Sequence, residues 1–518
     1  MSDLDSLVKP SQSAFMAANS VQQVLNQRGP LDSHTLAAAL VEGRFATNLA
    51  GARKQIERAR QTNIIASTYP VRFDRSYLYY LEKHQGRRYA QCVKKLLPTK
   101  PAFNRVFKAI LGNKGWISAG QIGKASGCLP AGDVSKAGGR QTLDVVINHL
   151  QILGLLDEVA GERELFRLGK QFGSAAVGKA AFRKKLELEV GLLSMLRDWI
   201  RNSFLVAYES NTVRAERLSA VTFNQTYCDF HGPIYFGPFA KTPPLRRRKD
   251  EAGFMFGEIL GYRTFTINDA ESTLERVDSI GHRWKTVSFC PIVVAPSYSK
   301  QAWSELRSAG VIALTLRDVC GANVDELMRR FWQALNVNEA TDEGLSDIEK
   351  ALHLASGTII SDGFVGNIKG ALFELLVALA YRAAGFDTTL QKMIRKPDED
   401  EEFEVDVVAT KADAKCKLVE CKGRHSRYTE SRDDVERHFH NRCRAAADPL
   451  GWDVNERYKE VEAVYITSGT FDEQAIDYAS SVPRSHGIKC TTLDRTGLIA
   501  FLNEVGQDRL VKIIDTFY

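Results

Sequence analysis

Two short runs near the C-terminus constrain this 518-residue chain more than any other feature: Phe403 to Ala409 (FEVDVVA) and Lys417 to Cys421 (KLVEC), joined by a polar, lysine-rich turn. β-Branched residues alternating with polar ones over so few positions predict strands, and the short connection predicts a hairpin. Side chains alternate along a strand, so Glu420 and Lys422 share one face while Val419 and Cys421 share the other. Antiparallel pairing then sets Asp406 opposite the Glu420 and Lys422 pair. Two acids and a lysine on one sheet edge are a minimal kit for holding a divalent cation and hydrolysing a phosphodiester. Mg²⁺ takes a few oxygen ligands and keeps several waters, a demand that Asp406, Glu420 and the backbone carbonyl of Cys421 can meet. Lys422 is then placed to orient or deprotonate an attacking water, or to neutralise charge growing on the phosphate.

A third acid lies upstream. Gly370 to Arg382 (GALFELLVALAYR) is apolar nearly all round, the pattern of a buried helix. Glu374 is its single acid, and an ionised carboxylate in such a place is costly unless paired or near a metal. That makes Glu374 a candidate metal ligand, direct or outer. A salt bridge to a basic side chain at the core edge is the alternative.

Taken together, the helix with Glu374, the strand with Asp406, the strand with Glu420-x-Lys422, and the helix, strand and helix that follow resemble the PD-(D/E)XK nuclease superfamily. The tail sharpens the likeness: Val464 to Phe471 (VYITSGTF), a helix from Asp472 to Ser480, then Gly487 to Leu493 and Asp494 to Leu502. That order resembles the catalytic domain of Mrr-like restriction endonucleases. The resemblance covers residues 360 to 505, about a third of the chain. It implies that Asp406, Glu420 and Lys422 are catalytic, with Mg²⁺ as cofactor and Mn²⁺ able to substitute. Val405 stands where the nominal motif has proline, a residue that carries no chemistry. The D…ExK pattern is short and arises by chance on solvated strand edges, so its weight comes from the element order around it. The neighbouring acid run, Asp398 to Glu402, reads as a solvated loop.

Hydrophobic content of 44% and charged content of 25% suit three or four domains with ordinary cores. No apolar run reaches the roughly 18 residues that span a bilayer, and the start, MSDLDSLVKPS, lacks the apolar core of a signal peptide. The expectation is a cytoplasmic protein with no membrane partner. Nine cysteines form no CxxC pair, and their odd number argues against a disulfide framework. Net charge is +6 overall, but residues 51 to 150 hold 18 Lys or Arg against 5 Asp or Glu, leaving −7 for the remainder. A basic block of this kind is the electrostatic footprint of nucleic-acid binding.

The block carries a pattern. Residues 14 to 27, 33 to 40 and 47 to 61 read as helices, followed by a hairpin from Ile64 to Glu82, the order of a winged helix. In the third helix Leu49, Ala52, Ile56 and Ala59 form an inner stripe, leaving Arg53, Lys54, Arg58 and Arg60 outside to enter a major groove or track phosphates. Arg72 and Arg75 sit on the wing. The order recurs with helices at 102 to 111, 118 to 125 and 142 to 153, and a wing at 155 to 159 and 165 to 168 around Gly161. NHLQILGLLDEV, a helix running directly into a wing, resembles many bacterial winged-helix regulators. Arg140, just ahead of that third helix, joins the DNA-binding candidates. Winged helices also serve as protein adaptors, and the charge favours DNA here. Gly120 to Ser126 is no phosphate loop, because Ala125 follows the lysine where a hydroxyl should be.

The middle is less legible. Residues 174 to 208 read as one or two amphipathic helices. Pro291 to Pro296, a helix from Lys300 to Ser308, and Gly310 to Leu316 then form a strand-helix-strand that parallels the tail at Val464 to Leu493. It is either a degenerate nuclease-like domain, since no D…ExK falls between 209 and 335, or any parallel α/β unit. Arg246 to Lys249 reads as a solvated loop. His438 and His440 lie about 200° apart on a helix, which argues against a zinc site with Cys443. Arg424, His425 and Arg427 are equally explained by scissile-strand contact and by simple surface placement.

The expected architecture is multidomain, α/β and α+β: a winged helix at 1 to 92, a second at 93 to 172, a helical spacer with an α/β domain at 173 to 340, and a restriction-endonuclease-like mixed sheet flanked by helices at 341 to 518. The expected function is metal-dependent endonucleolytic cleavage of double-stranded DNA by a homodimer, in restriction or in defence against phage and plasmids. The alternatives are a non-catalytic DNA-binding regulator or scaffold, and a nuclease for RNA or branched repair intermediates.

Overall fold

The computed structural model describes residues 12–61, 64–84, 86–130, 141–159, 162–175, 179–203, 212–214, 221–234, 253–283, 288–335, 337, 339–357, 362–395, 402–412, 415–439, 460–481 and 488–518. It is a mixed α and β protein that divides into two compact units. One comprises Met1–Val177, Arg217–Cys228 and Thr266–Val287; the other comprises Gly178–Glu216, Asp229–Phe265 and Ser288–Tyr518.

The first unit contains one pattern twice. Helix Gln12–Arg28, strand β1 (Leu31–Asp32), helices Ser33–Glu42 and Leu49–Arg60, then β2 (Ala66–Ser67) and β3 (Leu78–Tyr80) form a three-stranded sheet in the order β1-β3-β2. Helix Pro101–Gly112, β4 (Trp116–Ser118), helices Ala119–Ser126 and Leu143–Ile152, then β5 (Leu156–Val159) and β6 (Glu162–Leu168) give β4-β6-β5. Side-chain caps fix the helix starts: the Asp32 carboxylate accepts from the amides of His34 and Thr35, and Ser118 with Gln121 forms a capping box. Gly120 to Ser126 is thus helical.

Two features depart from the sequence reading. Leu49 is 49% exposed, so the inner stripe of its helix starts one turn later, at Ala52, Ile56 and Ala59. As the first residue after the Asn48 cap, Leu49 precedes the buried part of the helix. A further helix, Arg87–Leu96, runs through the 92/93 division and buries Tyr89, Ala90 and Val93 in a core shared with Phe103, Ile122 and Leu150. Part of the 173 to 340 region also belongs to this unit. The hairpin of β8 (Val221–Phe223) and β9 (Thr226–Cys228) and the helix Ile267–Arg283 join it. There Arg276 Nη1 donates to the Tyr227 carbonyl at 2.9 Å, and Arg105 pairs with Glu275.

The second unit holds two five-stranded sheets. In the first, β7 (Thr212–Val213), β10 (Phe230–Ile234) and β11 (Gly253–Ile259) run antiparallel in turn, and β12 (Phe289–Ala295) and β13 (Ile312–Thr315) follow β11 in parallel. In the second, β14 (Asp387–Arg395), β15 (Glu402–Lys411) and β16 (Lys415–Lys422) are antiparallel in turn, and β18 (Glu460–Thr467) and β20 (Ile488–Leu493) follow in parallel. Each sheet is preceded in the chain by one long helix, Lys179–Asn202 or Asp362–Ala383. Each is followed by two, Leu316–Cys320 with Ala322–Ala334 or Arg495–Glu504 with Asp508–Phe517. Strands β17 (Thr429–Glu430) and β19 (Thr470–Phe471) pair beside the second sheet.

Both sheets feed one apolar core, where Leu192, Phe230, Ile292 and Phe331 meet Leu372, Phe373, Val419 and Ile466. The segment Phe364–Ala383 is long and apolar enough to cross a membrane, yet most of it is buried in this core. It is a core helix, as its all-round apolarity predicts.

Candidate functional site

The predicted hairpin forms, and its register is set by Val407 opposite Val419 and Val408 opposite Leu418. One position further lie Asp406 and Glu420. The Asp406 carboxylate accepts from the Cys421 amide at 2.7 Å, which pins it across the strand pair. Lys422 Nζ lies 2.7 Å from Glu420 Oε1, so the two share a face as alternation requires. The turn after Lys422 is clasped from β18: Ser468 N donates to the Lys422 carbonyl at 3.1 Å, and Arg424 N donates to Ser468 Oγ at 2.8 Å.

Glu420 is buried beside His438, whose Nδ1 lies 3.9 Å from Glu420 Oε2. Burial, aided by the Lys422 charge, pushes the His438 pKa down to about 3, so its imidazole is neutral at physiological pH. His440, Cys443, Arg246 to Lys249, Arg140 and the acids 398 to 401 lie outside the described residues.

Glu374 projects from the helix Asp362–Ala383, where Gln391 Nε2 donates to it at 2.9 Å and Lys184 Nζ lies 3.8 Å away. Glu374 thus has the basic partner of the salt-bridge alternative, and it interacts electrostatically with Asp406 and Glu404. Burial raises its pKa to about 7, opposed by Lys184 and reinforced by Asp406 and Glu404. Glu404 is also pushed up, by burial and then by Asp406. Gln391 has φ 51, a left-handed value rare outside glycine, and is skipped in the β14 and β15 ladder.

The sequence reading missed Lys184, Glu404 and Gln391, and weighed His438 only as a zinc ligand. Glu404 had a signal, since it stands two residues before Asp406 on the same face. Lys184 had none, because it comes from a helix 190 residues before its partner Glu374 in the sequence.

Among the described residues no three His, Cys, Asp or Glu side chains are drawn together tightly enough to hold a metal ion. The carboxylates are engaged instead with Lys422, Lys184, Gln391 and the Cys421 amide. The donor set still suits a hard divalent cation. It is all oxygen, and burial, reinforced by Asp406, disfavours the charged forms of Glu374 and Glu404, a cost that such an ion would offset.

A second cluster of interest is cationic. Arg53, Lys54 and Arg58 are exposed on the third helix of the first module. Arg60 is half-buried, bonded to Glu57 and stacked 4.3 Å over the Tyr69 ring. Arg72 Nε donates to Tyr77 Oη at 2.7 Å, and Arg75 lies in the loop between β2 and β3 with φ 68. The unanticipated helix Arg87–Leu96 exposes Arg87, Arg88, Lys94 and Lys95.

No family model and no curated protein matches the chain. Among solved structures, a crystal structure described as a protein of unknown function, AF1548, is similar at 22% identity over 27% of this chain and 67% of its own, with a TM-score of 0.20.

Proposed function

We propose that the chain is a metal-dependent DNA endonuclease of the PD-(D/E)XK kind, in which winged-helix modules hold duplex DNA for a C-terminal catalytic domain. The observation that carries the reading is the convergence of Asp406 with Glu420 and Lys422 on adjacent strands, with the buried Glu374 nearby. Asp406, Glu420 and the Cys421 carbonyl would hold Mg²⁺ or Mn²⁺, with Glu374 in support. The ion, when bound, supplies Lewis-acid stabilisation of the phosphate and lowers the pKa of a coordinated water.

The remaining work falls to the chain itself. Lys422, one-third exposed, is able to leave Glu420 and place its ammonium against the attacking water or the phosphate oxygens. Glu420 keeps Lys422 oriented until substrate arrives. His438, neutral and buried, walls off that side without adding charge. The cations of Leu49–Arg60 and Arg87–Leu96 suit phosphate contacts that position DNA without reading its sequence. Restriction or defence against invading DNA in the cytoplasm is the role that matches such an enzyme.

A supercoiled plasmid incubated with Mg²⁺ and either wild type or Lys422→Ala tests the reading. Nicking by wild type and its loss in the variant is expected. Equal nicking by both sinks the catalytic assignment of Lys422, and no nicking by either leaves a DNA-binding scaffold.

A further inference from the structure

The two sheets of the second unit agree residue for residue. Phe230 pairs with Gly257 as Val407 pairs with Val419, and Gly257 pairs with Ile292 as Val419 pairs with Val464. Ile292 pairs with Ile312 as Val464 pairs with Thr491, and Val213 pairs with Phe230 as Leu390 pairs with Val407. This alignment puts Asp229 at the place of Asp406, Glu258 at Glu420, Ile259 at Cys421, Leu260 at Lys422 and Arg214 at Gln391.

The contacts agree too. Asp229 Oδ2 accepts from the Ile259 amide at 3.0 Å, as Asp406 Oδ2 does from the Cys421 amide. From the preceding long helix, Glu189 takes a bond from Arg214 Nη2 at 2.8 Å, as Glu374 does from Gln391. Glu189 Oε1 also accepts from the Gly261 amide at 2.8 Å.

We infer that the middle sheet is a silent second copy of the candidate site, in which the Arg214 guanidinium takes the position of a divalent cation, leaving one catalytic centre per chain. Arg214 lies 2.8 Å from Glu189 and 3.5 Å from Asp229, and all three side chains are at most 2% exposed. A guanidinium stays charged at any accessible pH and has five donors in a fixed fork, so its single positive charge stays between the two acids permanently. Leu260, at 8% exposure, removes the lysine that would act on water or phosphate. Acids are retained while both the room for an ion and the working lysine are gone. Cutting both strands of a duplex then needs two chains, or two successive events by one.

The inference rests on the nuclease reading only for what the C-terminal ion does, and Mn²⁺ counting by electron paramagnetic resonance separates the two. Wild type is expected to bind one Mn²⁺ per chain and Asp406→Ala none. Arg214→Gln, which installs the residue found at the working copy, is expected to bind two. Asp406→Ala then removes one of these and Asp229→Asn the other. The converse variant, Gln391→Arg, should reduce the wild-type count from one to none with its circular dichroism unchanged. A folded Arg214→Gln protein with the wild-type count overturns the inference, and so does a Gln391→Arg protein that keeps its ion. If Arg214→Gln fails to fold, Gln391→Arg decides alone. Wild type that binds no Mn²⁺ overturns the nuclease reading instead, and a gain of one ion in Arg214→Gln still upholds the inference.

Discussion

The two five-stranded sheets of the second unit share strand order, direction and register, and they differ in what neutralises their acids. In the middle copy a guanidinium sits between Glu189 and Asp229, every member is almost wholly buried, and the cluster is closed. In the C-terminal copy the place of Arg214 holds a neutral Gln391, and positive charge arrives on Lys184, on Arg183 at 3.7 Å from Glu404, and on Lys422, which is 33% exposed. Glu374 and Glu404 there carry raised pKa values, caused first by burial and reinforced by Asp406. One scaffold thus accommodates a buried cluster closed around a guanidinium or a partly open one with raised carboxylate pKa values. The open one is where chemistry is expected.

The difference is largest in stability. Arg214→Ala strands two buried carboxylates, and breaking one side of a buried ion pair costs about 3–5 kcal/mol. Gln391→Ala removes a neutral donor from Glu374 and is expected to cost about 1 kcal/mol. Urea unfolding of both variants measures the contrast. Equal losses would mean that Arg214 is no more central to its cluster than Gln391 is to its own.

In catalysis the order reverses. Lys422→Ala is expected to lower the initial rate of plasmid nicking by about 10²–10³-fold, the size typical of losing one group that stabilises transition-state charge. Leu260→Ala, at the matching place in the middle copy, should leave the rate per folded molecule within a few-fold of wild type. A large loss at Leu260 would show that the middle sheet is not silent.

Much of the C-terminal copy was legible because its strands are short, regular and close in sequence. Alternation in FEVDVVA and KLVEC gives the hairpin and puts Glu420 and Lys422 on one face, and the all-round apolarity of Gly370 to Arg382 gives a buried helix with an acid in it. The middle copy was only half legible. Its parallel strands Pro291 to Pro296 and Gly310 to Leu316 stand out, but Asp229 and Glu258-x-Leu260 break the motif at the lysine, and β7 is two residues long. Periodicity cannot find a two-residue strand. Arg214 and Lys184 were invisible for a different reason: each reaches its acids through tertiary structure, with no local spacing to betray it. The helix Arg87–Leu96 was passed over because its buried stripe is only Tyr89, Ala90 and Val93 among four cations.

Acidity offers a third way to separate the copies. The folded-state pKa of Glu374, about 7, exceeds its ordinary value of 4.5, so the folded protein holds this proton longer than the unfolded chain. Its contribution to stability is therefore present below about pH 4.5 and lost as pH rises through 7. A cation needs the ionised form, so Mn²⁺ affinity should move the opposite way and weaken up to about tenfold per pH unit below 7. Glu374→Gln should flatten both profiles, read by thermal melts and by Mn²⁺ titration. In the middle copy Arg214 adds no step of its own. Burial works to lower the Arg214 pKa, but Asp229 and Glu189 outweigh it, and the group stays charged throughout.

The smallest effect extends the comparison to the first unit, which also contains a repeated pattern with one charged copy. The third helix of the first module exposes Arg53, Lys54 and Arg58, whereas its counterpart Leu143–Ile152 (LDVVINHLQI) has no lysine or arginine and carries Asp144 in its first turn. Removing a single cation from the DNA backbone should lower the slope of log affinity against log salt by about 1. Arg53→Ala with Arg58→Ala should therefore reduce the slope for duplex DNA by about 2, measured by fluorescence anisotropy at several salt concentrations. Asn148→Ala on the second helix should leave it unchanged. Equal slopes in wild type and the double variant would move DNA binding away from this helix, and the exposed cations of Arg87–Leu96 would be the next place to look. A reduced slope would show the same division in both units, with one copy of each repeat carrying the charge that meets substrate and the other held for packing.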